Sequence, residues 1–366
     1  MKVLSVFGTR PEAIKMCPLV LKLQGTKDIE SIVCVTGQHR QMLDQVLEIF
    51  DIHPRYDLNI MKTRQTLASI TTSVVEEIGS VIDQCKPDIV LVHGDTTTSF
   101  AAALGAFYKQ TAVGHVEAGL RTYNKYSPYP EEMNRVLTGR IADFHFTPTP
   151  RNKEALEREG VMKNIYVTGN TVIDAFATTV REGYQFRDAT LRNMDFSRRT
   201  ILLTAHRREN LGRPLEQICD AVLEISRRAP DVQFIYPVHL NPAVRETVFS
   251  KLGGNSRFHL IDPLDVQDMH NAMAHSFFVM TDSGGLQEEA PHLGKPVLVL
   301  RTETERPEAV EAGTAKVVGV ETADIVAQAM VLLEKPERYS EMAMAQNPYG
   351  DGHASERIVS ILREKL

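Results

Sequence analysis

Short apolar runs of strand-forming residues alternate with helical patterns along nearly the whole chain, and they do so in two successive series. Parallel strands cannot be joined by a tight hairpin. They need crossovers long enough to hold a helix, so this alternation specifies a parallel sheet with helices on its faces. The first series has apolar runs at Val3–Phe7, Ile32–Val35, Ile89–Val92, Ala112–Val116, Phe144–Phe146 and Ile165–Val167. Helical patterns lie between them at Glu12–Leu23, Gln41–Phe50, Ala68–Cys85 and Ser99–Tyr108. The second series runs Thr200–Thr204, Val232–Tyr236, Arg257–Leu260, Phe277–Thr281 and Val297–Leu300, with helical patterns at Leu215–Arg228, Ala243–Lys251, Val266–Ala274 and Ala323–Leu333. A polar stretch without strand pattern, Gly169–Phe196, separates the two, and 366 residues are too many for one ordinary core. The expected fold class is α/β, with two doubly wound domains facing a cleft. Ligands of open α/β sheets bind beyond the carboxyl ends of the strands, so the cleft is the expected site.

Composition narrows the class of partner. Hydrophobic content of 43% with 24% charged residues is that of a soluble globular protein. A net charge of -6 and the absence of a basic run argue against nucleic acid. An anionic substrate would therefore need local arginines and helix N-termini. The four cysteines, Cys17, Cys34, Cys85 and Cys219, stand singly, with no metal-ligand spacing, as reduced thiols of a cytosolic protein do. No stretch approaches the ~20 apolar residues of a membrane span. The N-terminal run MKVLSVFGTRPEAIK is too short in apolar residues, and too soon charged, for a signal peptide.

The residues with chemical potential follow strand patterns in both halves. After the Phe277–Thr281 strand comes Ser283-Gly284-Gly285 and a short helix. Bare glycine backbone and unpaired helix N–H groups make a seat for phosphate or diphosphate. Glu289, about a turn and a half on, is placed for sugar hydroxyls; the plain alternative is an ordinary βαβ turn with a capping serine. Arg10 and Lys15, after the first strand, suit an anionic leaving group or a solvent-facing charge pair. Asp95, in HGDTTT, is either a site carboxylate or the N-cap of the next helix. Glu117 ends another strand among small residues. Glu131 opens a helix after a proline-bounded loop, where acidic residues also occur for dipole reasons alone. His206, in TAHRREN, is placed to donate to a phosphate or to move a proton, unless it is purely structural. Arg306 follows Glu303 and Glu305; it either closes over the diphosphate or pairs with those glutamates. Carboxylates, one histidine and several cations, without a metal cluster or dinucleotide fingerprint, suit proton transfer on a neutral sugar attached to a diphosphate.

The runs FGTRPEAIK, TGQHRQMLDQV, VHGDTTTSFAAALGAFY, VGHVEAGLRT, SPYPEEMNR, TAHRREN, TDSGGLQEEAPHLGKPVLVLR and ERPEAV cover nearly the whole chain in order. In them the sequence resembles the non-hydrolysing UDP-N-acetylglucosamine 2-epimerases. The resemblance implies a GT-B-like fold of two Rossmann-like domains. The expected boundaries are 1–170, with a C-terminal helix 352–366 packing back on that domain, and 171–351 for the UDP-binding domain. It implies a cytoplasmic homodimer that interconverts UDP-N-acetylglucosamine and UDP-N-acetylmannosamine without cofactor or catalytic metal. It implies an active site of Arg10, Lys15, Asp95, Glu117, Glu131 and His206. Ser283, Gly284, Gly285, Glu289 and Arg306 would hold the diphosphate and ribose of UDP. Leu264 and Met269 would lie near the uracil, Met269 standing where the family often has an aromatic residue. In some bacterial members a second UDP-N-acetylglucosamine activates the enzyme; the matching residues here are Gln38, Gln41, Arg64, Glu131, Arg207 and His239. The expected reaction is elimination of UDP to 2-acetamidoglucal followed by re-addition. A hydrolysing epimerase, a GT-B glycosyltransferase and a non-enzymatic UDP-sugar sensor stand as alternatives.

Overall fold

The computed structural model describes residues 1–37, 40–61 and 65–366, with the side chains of Arg40 and Gln41 outside that description. The chain divides into two compact units, Met1–Thr178 with Tyr349–Leu366, and Thr179–Pro348.

The first unit is built on β1 (Lys2–Phe7), β2 (Glu30–Val35), β3 (Tyr56–Asp57), β4 (Ile89–His93), β5 (Ala112–Val116), β6 (Phe144–Thr147) and β7 (Ile165–Val167). They pair in parallel in the order β3-β2-β1-β4-β5-β6-β7. The winding reverses between β1 and β4, which makes their carboxyl ends the natural ligand crevice. Every residue of β4 is buried, as expected of a central parallel strand covered on both faces. Helix Arg10–Gln24 follows β1 through a capping box. The Thr9 hydroxyl accepts from the Glu12 N–H, and the Glu12 carboxylate accepts from Thr9 N at 2.8 Å and Gly8 N at 3.0 Å. The C-terminal helix Ala354–Lys365 packs on Arg10–Gln24 within this unit. Asp174 caps its start, accepting from Ser355 N at 2.7 Å and Ala354 N at 3.2 Å.

The second unit holds β8 (Arg199–Thr204), β9 (Val232–Pro237), β10 (Phe258–Ile261), β11 (Phe278–Thr281), β12 (Val297–Val299) and β13 (Ala315–Val317). The order is β10-β9-β8-β11-β12-β13, again all parallel, with the reversal between β8 and β11. Helix Arg213–Arg228 turns Leu215, Ile218, Val222 and Ile225 into the core beside Phe234 and Phe258, whose rings stack 4.8 Å apart. That i, i+3, i+7, i+10 spacing is one face of a 3.6-residue helix. Among the described residues, no helix is long and apolar enough to cross a membrane.

Candidate active site

In the first unit the acids named above stand just after β4 and β5 and at the start of the helix Glu131–Ile141. Glu117 follows β5 with φ 61°, a left-handed conformation that costs a non-glycine residue about 1–3 kcal/mol and tends to mark functional positions. Its carboxylate forms an ion pair with Lys15 from helix Arg10–Gln24. The Asn170 side-chain amide donates to Oε2 at 2.9 Å, and His93 Nε2 lies 3.7 Å from the same oxygen. Lys15, read as suiting an anionic leaving group or a solvent-facing charge pair, thus forms a charge pair, turned inward onto the acid that follows β5. Two residues on, Gly119 takes φ 87°, and a Cβ there would sit 2.2 Å from the Asn152 carbonyl oxygen, so only glycine fits.

Asp95 does not cap the helix after β4. Thr96 does, its hydroxyl accepting from Ser99 N at 3.0 Å. Asp95 Oδ2 instead accepts from Arg135 Nη2 at 2.6 Å and Nε at 2.9 Å, and Asn134 Nδ2 donates to the Asp95 carbonyl at 2.9 Å. Arg135 also holds Glu132 at 3.1 Å, so one buried guanidinium joins the helix Glu131–Ile141 to the end of β4. Glu131 begins that helix without a side-chain cap before it. Its Oε2 is buried and has no hydrogen-bond partner among the described residues. The Glu117 Oε1 atom comes 3.7 Å from where a Cβ on Gly94 would stand, which brings the β5 acid against the Asp95 turn. Arg10 is half-buried on the first helical turn. Glu12 is 2% exposed and also accepts from Thr96 Oγ1 at 2.7 Å and Ser99 Oγ at 2.9 Å, tying the turn after β1 to the turn after β4. Burial pulls His93 below the usual histidine range, with the Glu117 charge opposing.

In the second unit Ser283, Gly284 and Gly285 follow β11 and open the helix Gly284–Glu289. Ser283 makes no side-chain cap. A Cβ on Gly284 would stand 3.8 Å from Arg207 Nη2 and 3.8 Å from Arg306 Cζ, so two guanidinium groups converge on bare backbone at a helix start. Arg306 Nη1 donates to the Glu305 carbonyl at 3.2 Å, but its carboxylate partner is neither Glu303 nor Glu305. Its Nε forms an ion pair with buried Glu288, while Glu305 lies 3.7 Å from Arg301. Glu289 Oε2 is 3.2 Å from His270 Nε2.

His206 follows β8 with its side chain 38% exposed, and Nδ1 is 3.6 Å from Oδ1 of fully buried Asp282. The other oxygen of Asp282 accepts from His206 N at 2.7 Å, Arg207 N at 2.8 Å and Asn210 Nδ2 at 3.0 Å, while Oδ1 has no hydrogen bond among the described residues. Burial lowers the His206 pKa and the Asp282 charge works against it. Its ring stacks on His239 at 5.2 Å and 6°. His239 is exposed and accepts from Asn241 N at 3.1 Å. Leu264 is buried just before the helix Val266–His275, and Met269 is half-buried on it. Gln38, Arg64 and the Gln41 side chain lie outside the described residues. Sequence reasoning passed over Arg135, His93, Asp282 and His270. His93, Arg135 and Asp282 lie inside runs quoted above, where polarity was their one signal, and His270 lies in none of those runs.

Residues 21–363 match the family described as UDP-N-acetylglucosamine 2-epimerase. The Bacillus subtilis UDP-N-acetylglucosamine 2-epimerase is 58% identical over 99% of this chain and 94% of its own. The crystal structure of the Neisseria meningitidis UDP-GlcNAc 2-epimerase bound to UDP-GlcNAc superposes with a TM-score of 0.88 at 49% identity, covering 100% of both chains. That of the Methanocaldococcus jannaschii enzyme with UDP-GlcNAc and UDP gives 0.79 at 34% identity, again covering 100% of both. A kitacinnamycin glycosyltransferase gives 0.68 at 10% identity over 100% of this chain and 99% of its own, a likeness of fold alone. The fold is the two-domain Rossmann-like GT-B type. With its parallel sheets, its acids after β4 and β5 and its glycine-rich helix start after β11, the chain belongs to the UDP-N-acetylglucosamine 2-epimerase family.

Proposed function

We propose that the protein is a non-hydrolysing epimerase that interconverts UDP-N-acetylglucosamine and UDP-N-acetylmannosamine by eliminating UDP and adding it back. The observation that carries this reading is the division of labour among its side chains. Asp95 and Glu117 are tied to Arg135 and Lys15, while Glu131 keeps a buried carboxylate oxygen without a partner among the described residues. Two guanidinium groups flank the helix start at Gly284.

The C2 proton of the sugar lies beside an acetal carbon, so its removal alone gives no stabilised enolate. Breaking the C1–O bond at the same time sends the electron pair into a C1–C2 double bond and the negative charge onto UDP. The product is 2-acetamidoglucal. Addition of UDP to C1 with protonation of C2 from the other face gives the epimer. Glu131 is the group we assign to the C2 proton on one face of the sugar; the proton on the opposite face needs a second acid, a role we assign to Asp95 or Glu117, the other of the two shaping the charge around it. Ser283, Gly284, Gly285 and Arg306 receive the diphosphate, with His206 donating to it; Arg207, matched above to the activating site, also reaches this helix start. Glu289 takes the ribose hydroxyls, and Leu264 and Met269 flank the uracil. A cytoplasmic homodimer completes the reading.

Incubation with UDP-N-acetylglucosamine alone in deuterated water, followed by NMR, tests it. The expected product is a nucleotide-linked epimer carrying deuterium at C2. Free N-acetylmannosamine would show a hydrolase, and no turnover would show a sensor or an acceptor-dependent transferase.

A further inference from the structure

Glu289 ends the six-residue helix Gly284–Glu289, and its side chain is 16% exposed. Its Oε2 lies 3.2 Å from Nε2 of His270, a residue only 2% exposed on the helix Val266–His275. The other ring nitrogen, Nδ1, is 2.7 Å from the hydroxyl of fully buried Thr179. A carboxylate can only accept, so this contact is favourable with a proton on Nε2. In the neutral ring Nδ1 then accepts from the Thr179 hydroxyl, and a flipped ring would turn carbon toward both partners. Glu289 is bounded on its other side too, because Oε1 stands 3.1 Å from where a Cβ on Gly285 would be. One oxygen is tethered by the histidine and the other rests over bare glycine backbone.

We propose that His270 is a positioning residue for ribose recognition. Held by Thr179, it fixes one Glu289 oxygen so that the carboxylate meets the vicinal hydroxyls of the UDP ribose in one orientation. The inference rests on the assignment of Glu289 to the ribose. A carboxylate without this tether would spread over rotamers that reach for water, and the hydroxyl hydrogen bonds would then carry the entropic cost of ordering it.

The test is calorimetric binding of UDP, 2′-deoxy-UDP and inorganic pyrophosphate to the full chain. The wild type is expected to prefer UDP over 2′-deoxy-UDP by about tenfold or more, the size of one hydrogen bond to a charged group. Glu289→Ala brings that ratio near one and leaves pyrophosphate binding intact. His270→Leu does the same, and His270→Gln, which keeps a donor, recovers most of the preference. Thr179→Val, farther from the ligand, lowers the ratio part of the way. A wild-type ratio in His270→Leu beside a lost ratio in Glu289→Ala overturns the role of His270. A wild-type ratio in Glu289→Ala overturns the ribose assignment itself. Should His270→Leu lose pyrophosphate as well, and Thr179→Val keep the full ratio, His270 supports the phosphate turn and the proposal fails.

Discussion

Asp95, Glu117 and Glu131 differ in what holds them, and substitutions should separate their roles. Asp95→Asn, Glu117→Gln and Glu131→Gln are each expected to lower turnover by about 100-fold or more, the usual size of lost acid–base or electrostatic help. Glu131 has no ion-pair partner among the described residues, so its substitution should leave the thermal midpoint in place. Arg135→Ala strands Asp95 and buried Glu132 together and should cost several kcal/mol of stability, about 3–5 kcal/mol for a broken buried pair. Steady-state rates beside thermal melts check both; three near-wild-type rates would refute the assignment of the acids. Asp282 supplies a second prediction. Its charge raises the pKa of His206 against the lowering by burial. Asp282→Asn removes that charge and turns an N–H toward Nδ1, so the pH–rate limb that belongs to His206 should move to lower pH and kcat should fall. A limb that stays in place would show that Asp282 only pins the backbone of His206 and Arg207.

The element with the clearest pH dependence is the run of adjacent strands β4, β5 and β6, which carries His93, His115 and His145, all buried. His115 and His145 sit opposite one another across β5 and β6. Burial pulls His115 down to about 3 and His145 down to about 4. Both therefore stay neutral in the folded state where the unfolded chain, titrating near ~6.5, takes up protons. Their contribution is complete above that pH and is lost as pH falls toward their folded values. At about one unit below ~6.5, each is expected to cost about 1.4 kcal/mol of stability. Urea midpoints at roughly pH 7.5 and pH 5.5 would show the fall, and His145→Phe should reduce it by about that amount. An unchanged drop in the variant would contradict this origin.

Legibility also varied by element. β4 was plain because a strand covered on both faces is an unbroken apolar run. β3 and β13 were not: β3 is the two residues Tyr56–Asp57, and β13 has exposed Lys316 in its middle, so neither shows an apolar run. The helices Pro150–Arg158, Pro307–Glu311 and Pro336–Ala343 were passed over although each opens with a proline in its first turn, because their apolar stripes are too short to stand out. In the site, Asp95 and Glu117 were readable because they end apolar runs. Arg135 and Asp282 were not: their partners lie 40 and 76 residues away, and polarity does not say which distant group a side chain meets.

At the scale of the whole molecule, membership of the epimerase family sets the sugar nucleotide and the carbon that inverts, and the proposed elimination requires the C1–O bond to break on the way. UDP-N-acetylglucosamine carrying oxygen-18 in the bridge between C1 and the β-phosphorus tests this directly. Once UDP has left, its terminal phosphate rotates, and re-addition can use any of three equivalent oxygens. Substrate recovered at partial conversion should carry the label in non-bridging β-phosphate positions as well as in the bridge. Epimer formed while every label stays in the bridge would contradict elimination and re-addition.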